Sequence, residues 1–158
     1  MKTIEHCVSL PPGTRVAVVV AQFNLEITGM MAEGCLVTLD EHGLSMDSVD
    51  EFKVPGAWEL PLACAQLVES GKYAAVIALG AVIRGETPHF DFISAECARG
   101  LMQINLDSRI PVAFGVLTTE NGEQALERAD PKRKNKGREA ALAALEMIAY
   151  GEGLAHAD

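Results

Sequence analysis

The residue types able to do chemistry in this sequence are concentrated in ten positions: Gly80-Ala81-Val82-Ile83-Arg84-Gly85-Glu86-Thr87-Pro88-His89. They follow the apolar run Tyr73 to Leu79 and precede an amphipathic stretch that begins at Phe90. A buried strand is expected to end here, turn through Arg84-Gly85-Glu86-Thr87, and enter a helix beside His89. A helix N-terminus offers free backbone N–H groups and a positive dipole end, which suit a phosphate. A histidine in the same place can move protons near neutral pH. The dipole favours its neutral imidazole, which accepts a proton. The plainer reading makes His89 a helix cap or a solvated surface residue, and the loop an ordinary turn. Gly85 would allow a positive φ or a close backbone approach. The loop matches neither GxxxxGK[ST] nor GxGxxG, so its phosphate signal rests on position rather than on a motif.

Other candidates sit at other expected strand ends. Phe23, with Asn24, follows the run Val16 to Ala21 and is either core or a stacking platform for a flat heterocycle. Val54-Pro55-Gly56-Ala57-Trp58-Glu59 sets a glycine, an aromatic and a carboxylate where a strand turns into a helix. Glu59 either favours the first helical turn or accepts hydrogen bonds from substrate hydroxyls. Six of the thirteen Lys and Arg residues lie between Arg128 and Arg138, a segment that includes Lys136. Such a run is usually a solvated surface. Against a net charge of −9 it could also focus small anions.

That charge argues against polyanion binding by the surface as a whole. No HxH, HExxH or Cys/His cluster occurs, so no protein metal site is expected. Cys7, Cys35, Cys64 and Cys97 are far apart and form no CxxC pair. They read as free thiols, three of them packed as small apolar groups in helices. No signal-peptide pattern and no span-length apolar run is visible, so a soluble cytoplasmic protein is expected.

The 158 residues suit one domain, and aromatics at 5% favour an aliphatic α/β core. Residues 1–13 read as an N-terminal arm, 14–150 as the domain, and 151–158 as a tail. Strands are expected at Val16–Ala21, Val49–Val54, 74–83 and Pro111–Leu117. The second is the most polar and the best edge candidate. Helices are expected from Ile27 to a stop at Gly43, over Glu59–Ser70, from Phe90 to Ile104, from a cap at residues 118–121 to Arg128, and over Glu139–Tyr150. Asn24 is the expected N-cap of the first. This alternation implies a three-layer, flavodoxin-like, four-stranded parallel sheet in the order 2-1-3-4, with helices on both faces. Sites in such sheets form outside the carboxyl ends of the strands. That rule selects Phe23-Asn24, Val54 to Glu59, Ala81 to His89 and Phe114 to Thr119.

Taken together, these segments resemble the lumazine synthase family. The likeness adds Phe90-Asp91, Pro111 to Thr119, Gln124 to Ala129 and Asn135-Lys136-Gly137 with Glu139, in order and spacing from about residue 14 to 150. The resemblance implies riboflavin biosynthesis. 5-Amino-6-(D-ribitylamino)uracil condenses with 3,4-dihydroxy-2-butanone 4-phosphate to give 6,7-dimethyl-8-ribityllumazine, phosphate and water, with no metal or organic cofactor. It implies that Phe23 stacks on the pyrimidine and Asn24 lines that pocket. Gly56, Ala57, Trp58 and Glu59 border the ribityl chain. The backbone of Ala81, Val82 and Ile83 meets the uracil edge. Gly85, Glu86 and Thr87 hold the phosphate, and His89 transfers protons. It also implies sites between subunits, with Phe114, Arg128 and Lys136 supplied by a neighbour. The family builds pentamers, which stay single, pair, or close into sixty-subunit shells. Shell formers often carry a glycine after the Arg-Ala pair. Asp130-Pro131-Lys132 stands there instead, which favours a free homopentamer.

Two other classes compete. A non-catalytic lumazine- or flavin-binding paralogue would keep Phe23 and Glu59 but lack the proton-transfer and phosphate groups. A flavodoxin-like electron carrier needs a Ser/Thr/Gly-rich loop after the first strand, and Gln22-Phe23-Asn24-Leu25 does not supply one.

Overall fold

The computed structural model describes residues 9–156. Four parallel strands form one sheet in the order β2-β1-β3-β4: β1 Val16–Ala21, β2 Val49–Val54, β3 Ala75–Ile83 and β4 Val112–Thr119. Register runs from Val16 opposite both Val49 and Ala75, and from Val76 opposite Val112. The helices are α1 Leu25–Glu41, α2 Leu60–Glu69, α3 His89–Ser108, α4 Gly122–Ala129 and α5 Lys136–Ala155. The expected sheet, strand order and layering are those observed.

The two faces of the sheet separate two cores by simple alternation. Val16, Val18, Val20, Ile77 and Leu79 join α1, α4 and α5. Ala17, Val19, Ala21, Val76 and Ala78 join α2 and α3. Every residue of β1 is buried, as a strand covered on both faces requires. β2 is the polar edge, with Glu51, Phe52 and Lys53 exposed. On the first face, α1 and α5 touch through Gly137, where a Cβ would meet the carbonyl of Met31.

Several expected element ends move. β4 continues through Thr119 because Val82 and Ile83 of the longer β3 still offer partners to Thr118 and Thr119. A single 3-10 turn, Ala57–Glu59, precedes α2. α5 starts at Lys136, where the Asn135 side chain accepts a hydrogen bond from the Arg138 N–H at 3.1 Å. It runs past Gly151 and Gly153 to Ala155, so most of the expected tail is helical. An isolated glycine costs a helix only about 1 kcal/mol, and no proline follows to force a stop. Most of the expected arm, with His6 and Cys7, and the last two residues lie outside the described residues.

Candidate active site

Three strand ends converge on one cleft of roughly 820 Å³. Phe23 follows β1, residues 55–59 follow β2, and Ala81 to Ile83 close β3. Gly85, Thr87 and His89 from the β3–α3 loop complete the rim, with Phe90, Phe92 and Ile93 from α3. The ladder extends past the strands to hold this edge. The N–H groups of Gln22 and Phe23 donate to the carbonyls of Val54 and Pro55 at 2.8 and 2.9 Å. With its backbone pinned, Phe23 leaves 72% of its surface exposed, and Trp58 leaves 57%. Aromatics this open beside a cleft are contact surfaces rather than core.

His89 is the first residue of α3 and is exposed. The Thr87 hydroxyl stands 3.5 Å from the His89 N–H, and a Cβ at Gly85 would face open space. The loop thus offers a hydroxyl, an uncrowded backbone and an imidazole beside one helix start. Gly85 has no positive φ, so the expected conformational need for glycine is absent, and the open space above it is what the position provides.

Eleven expected residues line this cleft: Phe23, Gly56, Ala57, Trp58, Glu59, Ala81, Val82, Ile83, Gly85, Thr87 and His89. Two others do not. Asn24 begins α1 in the left-handed conformation without capping it by its side chain. Its Nδ2 instead donates to the carbonyl of Ala81 at 2.9 Å, which fastens the end of β1 to β3. Glu86 is exposed and is not part of the lining.

Phe114, Arg128 and Lys136 occupy a different cavity, of roughly 420 Å³, with Gly115, Thr118 and Glu139. Phe114 lies within β4, opposite Ala78, rather than beyond a strand end. The carboxyl-end rule therefore fails for it. β4 is an edge strand, and Phe114 stays half exposed. The basic segment is also less positive than its residue types imply. Lys136 pairs with Glu139 at 2.7 Å, Arg138 with Glu41 at 3.0 Å, and Lys134 and Arg128 with Glu127 at 3.6 and 3.7 Å.

A family model for 6,7-dimethyl-8-ribityllumazine synthase matches residues 13–152. The chain belongs to the lumazine synthase family. It is a transferase of riboflavin biosynthesis, acting on small-molecule substrates within a homo-oligomer. Among the described residues, no group of three or more His, Cys, Asp or Glu side chains is arranged to hold a metal ion. None of the described helices is long and apolar enough to cross a membrane.

Three residues that line this cleft, besides Pro55, were not among those singled out by the sequence: Phe90, Phe92 and Ile93. Phe92 carried a signal. It falls off the Phe90-Ile93-Cys97-Leu101 stripe that packs on the sheet, and an aromatic on the opposite side of a helix needs something to meet. Arg84, the one strong cation in the loop, turns away from the cleft. It pairs with Glu120 at 2.8 Å and with Asp91 at 3.2 Å.

Proposed function

We propose that the cleft holds both substrates and that the smaller cavity of a neighbouring subunit closes it. Phe23 stacks on the pyrimidine, beside a β1–β3 junction fastened by Asn24. Gly56, Ala57, Trp58 and Glu59 run along the ribityl chain, and Glu59 accepts from its hydroxyls. The Ala81, Val82 and Ile83 backbone meets the uracil edge. Gly85, Glu86 and Thr87 take the phosphate through backbone N–H groups and the Thr87 hydroxyl. Arg128 of the neighbour neutralises that phosphate from the other side, with Phe114 and Lys136 completing the wall.

The reaction joins an amine to a ketone as an imine, expels phosphate, and closes the ring with the second amine. An amine and a ketone react without strong activation, so holding the two together supplies much of the rate. His89 moves protons at the amine and at the carbon between the imine and the phosphate-bearing carbon, whose deprotonation lets phosphate leave, a smaller factor.

One observation carries this reading. Residues expected in a single site divide, within one chain, between two separate cavities. Neither half is sufficient. The larger has no lysine or arginine on its lining to neutralise a phosphate, whereas the smaller has Arg128 and Lys136. Large apolar side chains such as Leu62, Phe92, Met102 and Leu106 stay exposed on the α2–α3 side, which supports burial against further copies. We favour a free pentamer over a shell, on the loop at residues 130–134. That loop is folded tightly on itself, the Lys132 N–H donating to Asp130 at 2.8 Å.

Steady-state kinetics on three variants test the assignment. Glu59→Gln should raise KM for the ribityl substrate alone. Thr87→Ala and Arg128→Ala should raise KM for the butanone phosphate. Unchanged KM values in all three would overturn it. Sedimentation velocity reads the assembly, and a mass near sixty subunits would sink the pentamer.

A further inference from the structure

Arg84 is the residue of the β3–α3 loop that the reaction leaves unused. Its contacts reach the end of β4, the residue just beyond it and the first turn of α3. Its backbone N–H donates to the Thr119 carbonyl of β4 at 2.9 Å. Its Nε donates to Glu120 Oε2 at 2.8 Å, just beyond β4. Its Nη1 donates to Asp91 Oδ1 at 3.2 Å, in the first turn of α3. Its guanidinium carbon lies 4.3 Å from the centroid of the Phe90 ring.

This is a brace rather than a binding group. Arg84 does not line the cleft, whereas Gly85, Thr87, His89 and Phe90 do. The loop from Gly85 to Pro88 is exposed and spans the gap between the end of β3 and the start of α3. Few hydrogen bonds hold it: the Thr87 hydroxyl stands 3.5 Å from the His89 N–H, and only the Pro88 carbonyl, at the helix start, accepts from Asp91 and Phe92 at 3.0 and 3.4 Å. What fixes its two ends relative to each other is therefore the Arg84 fork. One arm reaches β4 and the other the helix that begins with His89. The guanidinium over the Phe90 ring adds a contact to that helix's first turn. Asp91 and Glu120 together hold the guanidinium charged and in place; both hydrogen bonds and nearby carboxylates push its pKa further up.

We propose that Arg84 is a positioning residue for the butanone phosphate: it sets the spacing between the phosphate-binding loop and His89 without touching substrate. This rests on the reading that Gly85 to Thr87 hold the phosphate. The geometric warrant is that a displacement of about 1 Å in a catalytic constellation can cost on the order of a hundredfold in rate.

The test compares Arg84→Ala, Arg84→Lys and Thr87→Ala in assembled protein, with inorganic phosphate as a competitive probe. For Arg84→Ala, KM for the butanone phosphate and Ki for inorganic phosphate should rise about fivefold or more, and kcat should fall, while KM for the ribityl substrate stays within about twofold. Arg84→Lys keeps the charge but not the fork, and should recover only part of the loss. A purely structural role would lower stability and active fraction without splitting the two KM values. If Arg84→Ala does not assemble, Glu120→Ala removes one arm alone and should shift Ki for phosphate in the same direction. Thr87→Ala separates the two ideas. No effect of Thr87→Ala on phosphate overturns the site assignment. An effect there, with unchanged phosphate constants in the Arg84 and Glu120 variants, overturns the brace alone.

Discussion

The side-chain amide of Asn24 donates to the carbonyl of Ala81 at 2.9 Å. This single bond joins the residue after β1 to a residue near the end of β3, across the rim of the cleft. It explains why an asparagine occupies a backbone position at φ 61°. Asparagine tolerates the left-handed region better than most residues and here also supplies a donor that glycine lacks. Asn24→Ala should cost about 1–3 kcal/mol, from a lost hydrogen bond and a left-handed alanine. Asn24→Gly loses only the bond and should be milder. Urea unfolding at one fixed protomer concentration checks this, since assembly contributes to apparent stability. Equal midpoints for alanine and glycine would remove the backbone part of the argument.

His89→Ala should slow turnover by roughly a hundredfold or less, leaving a clearly measurable rate. The expectation follows from a reaction in which positioning does most of the work and the imidazole a smaller part. Lumazine absorbance from both substrates reads it directly. Complete loss with binding and fold intact would mean that His89 does far more than proton transfer.

The proposed division of the site between two cavities makes mixing informative. A His89→Ala chain keeps a sound Arg128 half, and an Arg128→Ala chain keeps a sound cleft. Reassembled from an equal mixture, about a quarter of the sites should pair two intact halves if neighbours combine at random around a ring. Activity of the mixture should therefore exceed the average of the two separate preparations. A mixture no more active than that average would mean that each site is built from one chain.

The sheet and its order were legible because β1 and β3 are unbroken apolar runs and because β2 is visibly more polar. The residues that line the larger cleft were legible for the related reason that strand ends in such sheets converge. Other features depend on partners that no local window contains. Arg84 reads only as part of the turn after β3, because the partner that holds it, Glu120, lies thirty-six residues away. The basic run from Arg128 to Arg138 reads as an anion trap until Glu41, Glu127 and Glu139 are seen beside it. Asn24 reads as a helix cap because its reach to Ala81 spans fifty-seven positions. Gly151 reads as a helix stop because local propensity ignores packing by Ala144, Ile148 and Ala149 just upstream.

Three thiols should be inert in the native protein. Burial pushes Cys35 and Cys64 up to about 12 and Cys97 up to about 11. Thiolate is the reactive form, so almost none is present near pH 8. In a Cys7→Ser background, a thiol-reactive chromophore should label the native protein only as fast as it opens, and all three sites promptly in denaturant. Prompt stoichiometric labelling of the native state would contradict the packing described for both cores.

Acid should weaken the fold partly through Asp50. Arg15 donates to its Oδ2 at 2.6 Å and the Tyr73 hydroxyl at 2.8 Å, and these bonds, with Arg15 leading, hold the carboxyl below its ordinary pKa. A carboxylate depressed in the folded state stabilises above its unfolded pKa, and that contribution fades as pH falls through the folded value. Asp50→Asn should therefore be less stable than the parent at neutral pH, and the gap should narrow as pH drops below about 4. Tyr73 runs the opposite way. Desolvation and its bond to Asp50 raise its pKa, so its contribution is complete below about 10 and is lost as pH climbs through the raised value. Tyr73→Phe should accordingly narrow its deficit at the alkaline end. Because the Asp50 side chain is 39% exposed, both gaps should be small and should shrink in high salt. Unfolding midpoints across pH for the two variants would settle the signs. A deficit in Asp50→Asn that widens toward low pH would exclude the ion pair as its source.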